Sequence, residues 1–154
     1  MKIAHIAPLT ESVPPTGYGG IERVVSYLVE EQVRLGHQVT LFAGGDSRTS
    51  AELVSVCEHA LGYDPGIRNP FPYYRAMLDT VRRRAPEFDI LHFHFDFVHF
   101  LMLQNCPTPM VTTLHGWPYL LDLLPFYTCC ADRSLISISL QQRRLLPHLP
   151  WLAQ

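Results

Sequence analysis

The chain has 154 residues, a formal net charge of −2, 47% hydrophobic and 17% charged residues. That length suits a single domain, and the near-neutral charge gives no electrostatic reason to expect nucleic acid or an anionic membrane as partner. No apolar run approaches the ~20 residues of a transmembrane helix. The opening MKIAHIAPL is also too short and too weakly charged for a signal peptide, so the expected compartment is cytoplasmic.

In chain order, KIAHIAPL (2–9) reads as a short buried strand. It runs into PPTGYGGIERVV, a glycine-rich loop (Gly17, Gly19, Gly20) that leads into helical periodicity. Ile21, Val24, Val25 and Leu28 recur at i, i+3, i+4, i+7 and predict one helix face. The helix is expected over 20–35, with Gly36 just past its end. HQVTLFAGG (37–45) is a second strand, so strand, helix and strand form a βαβ unit with a right-handed crossover. ELVSVCE (52–58) is a further short strand. Residues 59–72 are punctuated by Gly and Pro and read as a loop. YYRAMLDTVRRRA (73–85) is helical, with Tyr74, Met77, Leu78 and Val81 on one face. Arg82 to Arg84 lie in its last turn, where cations favour the helix dipole.

FDILHFHFDF (88–97) is a strand, HFLMLQN a short helix and PMVTTLHGWP (109–118) another strand. LLDLLPFYTCCAD is expected to be helical around Pro125, SLISIS (134–139) a strand, and LQQRRLLPH the start of a helix. PHLPWLAQ reads as trailing off, and LLPHLPWLAQ as an exposed apolar stretch. The alternation predicts an α/β fold: a Rossmann-like, doubly wound, mainly parallel sheet with helices on both faces.

In such sheets ligands bind outside the carboxyl ends of the strands. The first strand leads there to the 17–20 loop, where helix-start amides without intrahelical partners suit an anion. The loop is neither G-x-G-x-x-G, since Glu22 takes the third glycine's place, nor a P-loop. The strand at 88–97 delivers His92, His94 and Asp96. The strand at 109–118 delivers His115, Gly116 and Trp117. SLISIS delivers Ser137 and Ser139. His92, His94, His99 and His115 could offer nitrogens to zinc, but no defined ligand set is legible and no metal is expected. A Ser-His-Asp hydrolase would lack its G-x-S-x-G elbow. A dehydrogenase could use Asp46, but the first glycine loop has the wrong form. The four cysteines (57, 106, 129 and 130) show no C-x-x-C spacing and read as reduced thiols.

KIAHIAP, YGGIERVVSYLVEEQVRLGHQVTLFAGG, FDILHFH, VTTLHG and SISLQQRR, in that order, resemble the N-terminal domain of retaining GT-B glycosyltransferases of the family 4 type. The resemblance implies two Rossmann-like domains with the active site between them. Such enzymes transfer a sugar from a nucleotide diphosphate sugar to an acceptor with retention, and need neither metal nor cofactor. Residues 1–154 would form the acceptor-side domain, incomplete at its C-terminus, with the donor-binding C-terminal domain absent and little activity alone. The resemblance assigns Gly19 and Gly20 to the donor diphosphate and His115 to the transferred sugar. Tyr18, His94, Asp96 and Gly116 fall on the acceptor and sugar side. Expected partners are a nucleotide sugar, a sugar, lipid or small-molecule acceptor, and the missing domain, with self-association and peripheral membrane association both left open. The competing expectation is a non-catalytic Rossmann-like module that binds a partner through the surface a second domain would otherwise cover, with LLPHLPWLAQ as part of it.

Overall fold

A computed structural model describes residues 1–62, 64–95, 98–116 and 133–153. The expected helix around Pro125, together with Trp117, Cys129 and Cys130, lies outside the described residues. So does Asp96.

The strands are β1 (Lys2–Ile6), β2 (Gln38–Phe42), β3 (Glu52–Val54), β4 (Ile90–Phe93), β5 (Met110–Leu114), β6 (Ser134–Ser137) and β7 (Trp151–Ala153). They form one seven-stranded sheet in the order β3-β2-β1-β4-β5-β6-β7. Every pairing is parallel. The order reverses at the β1–β4 seam, where a doubly wound sheet opens its crevice. The described helices are α1 (Gly20–Arg34), α2 (Phe71–Arg84), α3 (Val98–Met102) and α4 (Leu140–Leu145).

Strand alternation decides which side chains meet which helix. Ala4 and Ile6 of β1, Phe42 of β2 and Leu91 and Phe93 of β4 pack with Met77, Leu78 and Val81 of α2 in one core. Val39 and Leu41 of β2 pack with Val25 and Val29 of α1 in another. Helices therefore cover both faces, as the alternation of elements predicts. His5 and His92 are register partners across the seam, and His5 reaches Gln32 of α1, so these two histidines stand on the α1 face.

Three expectations need correction. The buried stripe of α1 is Glu22, Val25, Ser26 and Val29, one position round from the apolar stripe read in the sequence. Val24 is instead 48% exposed. The shift follows from the sheet, which takes up the narrow face carrying Val25 and Val29 and tolerates the small Ser26 against it. Helix α2 starts at Phe71, with Pro72 in its first turn, a position where the missing N–H costs nothing.

The C-terminal stretch is the third correction. Trp151–Ala153 adds a strand to the sheet edge, and Leu146 and Leu149 are buried at 3% and 5% exposure against Phe100, Leu114 and Leu135. Trp151 donates its indole N–H to the Leu146 carbonyl at 2.9 Å. Burial of these two leucines removes the continuous exposed strip expected there, although Leu152 is 66% exposed. The described cysteines, Cys57 and Cys106, are free thiols. Among the described residues no helix is long and apolar enough to cross a membrane.

Candidate active-site crevice

Beyond Ile6 the chain leaves the sheet, and Pro8 cannot continue the ladder because it has no N–H. The loop returns at Gly19, which begins α1 with φ +148°. The N-cap, Gly19, has no side chain to cap this helix start, which leaves the Gly20 and Ile21 amides without an intrahelical partner. A crevice of about 540 Å³ opens beside it, lined by Tyr18, Gly19, Gly20, Glu11, Glu22 and His115 among others. Tyr18 is 88% exposed on its rim. Four of the residues singled out in the sequence, Tyr18, Gly19, Gly20 and His115, thus meet in one cavity, although His115 lies nearly a hundred residues from the loop.

His115 follows the last residue of β5 and is held on both sides by one amide. Gln142 of α4 is 3% exposed. Its Nε2 donates to the carbonyls of Leu114 and Gly116, each at 2.8 Å. Its Oε1 accepts from the Ile138 N–H at 2.9 Å. Ser139 caps α4, its hydroxyl accepting from the Gln142 N–H, which fixes the helix that carries the clamp. Gly116 contributes a carbonyl to this clamp and is not among the residues lining the crevice.

Behind His115 stand His94, His5 and His92, with exposures of 1%, 0% and 8%. His94 is therefore not on the crevice wall. It reaches it through His115, whose Nε2 lies 3.2 Å from His94 Nδ1. His94 Nε2 lies 3.0 Å from His5 Nδ1, and His5 Nε2 lies 2.7 Å from Gln32 Oε1. His92 stacks on His94 with ring centroids 4.1 Å apart and hydrogen-bonds Thr113 at 2.8 Å. Burial pushes His5 down to about 4 and His92 down to about 3. It holds His94 well below the usual imidazole range and His115 down to about 4. All four are neutral at pH 7.

Nitrogens of His5, His92 and His94 lie within 4.8 Å of one another, a spacing from which a metal site could be built. Their arrangement does not suit one. The rings of His92 and His94 are stacked at an interplanar angle of 30°, and His92 Nε2 is already engaged by the Thr113 hydroxyl. Zinc with bonds of ~2.0 Å needs nitrogens roughly 3.3 Å apart around a common centre, and the close His5–His94 pair is already a hydrogen bond. His99 belongs to a different place altogether. It lies flat on Phe93, with centroids 4.0 Å apart, and bonds Thr112 at 2.8 Å. Its Nδ1 is buried without a hydrogen-bond partner among the described residues.

Two acids in the crevice were not singled out as site residues. Glu11 is 7% and Glu22 4% exposed. Burial, first, and then the nearby Glu11 push the Glu22 carboxyl up, against a hydrogen bond from its own backbone N–H. The crevice therefore pairs helix-start amides, which favour an anion, with carboxylates, which favour hydroxyl donors. Glu22 in place of a third glycine was the visible signal. His5 also had one, as the polar residue inside the apolar run from Ile3 to Ala7.

A family model described as Glycosyltransferase Family 4 matches residues 18–151. Among solved structures, the chain is similar to AviGT4, a glycosyltransferase involved in Avilamycin A biosynthesis, with 24% identity and a TM-score of 0.48. That match covers 75% of this chain and 32% of AviGT4. No curated protein matches the sequence significantly.

Proposed function

The chain belongs to glycosyltransferase family 4, and on that premise we propose that it forms the acceptor-side wall of an enzyme that moves a sugar from a nucleoside diphosphate sugar to an acceptor, with retention and without a metal. The observation that carries this reading is the meeting of Gly19, Gly20 and His115 around one crevice at the carboxyl edge of the sheet.

In this reading the uncapped amides at the start of α1 face the diphosphate. They stabilise the negative charge that grows on it as the bond to the sugar breaks. A backbone without a Cβ at Gly20 lets the phosphates come close. His115 is neutral and hydrogen-bonds a hydroxyl of the transferred sugar, orienting it rather than attacking it. Tyr18 packs against the acceptor at the rim, and Glu11 and Glu22 accept hydrogen bonds from acceptor hydroxyls. A second α/β domain, outside these 154 residues, holds the nucleotide and supplies the basic groups that complete the site. The isolated chain then binds substrate weakly and turns over little.

Ligand-observed NMR with a panel of nucleoside diphosphate sugars and simple sugars tests this. The expected result is saturation transfer to a nucleotide sugar that Gly20→Val abolishes. Binding that Gly20→Val leaves unchanged, or a folded chain that binds no member of the panel, overturns the assignment of Gly19 and Gly20 to the donor.

A further inference from the structure

The row Gln32–His5–His94–His115 runs from the last turn of α1, across the α1 face of the sheet at the β1–β4 seam, to the crevice wall. Its links are 2.7, 3.0 and 3.2 Å long. His5 and His94 are 0% and 1% exposed, so water does not compete for their nitrogens. A neutral imidazole has one N–H and one bare nitrogen. In a dry interior, two N–H groups or two lone pairs facing each other would leave buried polar atoms unsatisfied. The row must therefore be polarised head to tail, and one end fixes the whole of it.

Gln32 is that end. Its Oε1 faces His5 and can only accept, so His5 carries its proton on Nε2 and presents a bare Nδ1. His94 then donates from Nε2 to His5 and accepts at Nδ1, and His115 donates from Nε2 to His94. His115 Nδ1 is left as a hydrogen-bond acceptor. The stacked His92, tied to Thr113, holds the plane of His94.

We propose that Gln32, His5 and His94 are positioning residues that lock His115 in the Nε2–H tautomer, so that the crevice wall presents an acceptor and selects a sugar hydroxyl that donates. The row cannot carry a proton away, because a primary amide ends it. It sets a direction instead. Reversing the Gln32 amide would invert every link and turn His115 into a donor. The consequence for substrate rests on His115 meeting the sugar, as proposed above. The tautomer can be read without substrate, so failure of one reading is distinguishable from failure of the other.

The experiment is nitrogen-15 NMR of the histidine rings in the intact chain at pH 8, for the native protein, Gln32→Leu and Gln32→Glu. Ring nitrogen shifts separate protonated from bare nitrogens. The native chain should show Nε2–H alone at His5, His94 and His115. Gln32→Leu, at a half-buried helical position where leucine is a good helix former, should shift His115 to a mixture of tautomers. Gln32→Glu, which keeps an acceptor, should retain the native pattern; a purely structural role for Gln32 would not separate these two variants. An Nδ1–H tautomer at His115 in the native chain overturns the proposal. So does a His115 spectrum indifferent to Gln32→Leu, or stoichiometric zinc uptake that removes the ring N–H signals.

Discussion

Gly19 backs onto Pro15: a Cβ on Gly19 would stand 2.6 Å from Pro15 Cβ, whereas one on Gly20 would meet nothing within 4 Å. Neighbouring glycines in one loop thus serve different ends. Gly19 also has φ +148°, which L side chains avoid, so Gly19→Ala should cost about 1–3 kcal/mol. Gly20→Val adds its methyl groups to open space and should change stability by less than about 1 kcal/mol. Urea unfolding of both variants beside the native chain checks the contrast. A folded Gly20→Val that has lost nucleotide sugar binding at least tenfold would tie that position to the ligand.

Gln142 offers a second test, because its amide makes three hydrogen bonds and a nearly isosteric acid can keep only one of them. Gln142→Glu keeps the acceptor for the Ile138 N–H but loses the donor to the carbonyls of Leu114 and Gly116. Two buried acceptors without a donor should cost about 2–3 kcal/mol. The backbone on either side of His115 should loosen, visible as faster amide exchange at 115 and 116 than in the native chain. Unchanged exchange there would mean the β5 end holds its shape without the clamp.

Acid should unfold the protein early. In the unfolded chain His5, His92, His94 and His99 titrate near 6.5, whereas burial holds them down to about 4 for His5, about 3 for His92 and His99, and well below the usual range for His94. Between those limits the unfolded state binds more protons, so stability rises with pH in that window and falls as pH drops through it. One pKa unit is worth ~1.4 kcal/mol. Four such groups should therefore remove several kcal/mol between pH 7 and pH 5, on the scale of a whole domain's ~5–15 kcal/mol. Urea midpoints at pH 7.5, 6 and 5 measure the slope. A flat profile would show that these imidazoles do not hold their neutral form through burial.

At the opposite edge of the sheet, Arg84 forks between two acids. Nη1 reaches Glu52 Oε1 at 2.9 Å, while Nε and Nη2 reach Glu87 Oε2 at 3.0 and 2.8 Å. The guanidinium also lies 5.6 Å from the Phe88 ring centroid. Lysine cannot reproduce a planar fork, so Arg84→Lys should cost about 1 kcal/mol, less at high salt. Thermal unfolding at low and high salt reads both numbers.

The parallel, doubly wound sheet was legible because each strand before α4 is bounded by Gly, Pro or a helical period. β7 was not, because three residues after Pro150 carry no alternation that a sequence window can weigh. Its existence depends on Leu146 and Leu149 being drawn under β6. The crevice was half legible. Glycines before a helix and a histidine at a strand end announce themselves locally. The partners of His115 do not. His5 meets His94 across 89 residues and Gln32 across 27, and both contacts exist only through the register of β1 with β4 and the rotation of α1. The same rotation put Val24 outside and Glu22 inside, against the apolar periodicity.

The β1–β4 seam also orders events in time. β1 leaves the ribosome first, and β2 can join it after α1 closes a short crossover. Its other flank stays open until Ile90 pairs with Ile3. The entropy of such a closure grows only as ~(3/2)RT ln n, but no contact on that flank rewards the chain before it is made. The imidazole row spans this seam. It cannot form before β1 and β4 have paired, and His115 joins it only from beyond β5, so the crevice wall becomes chemically complete only when the two wings of the fold have joined.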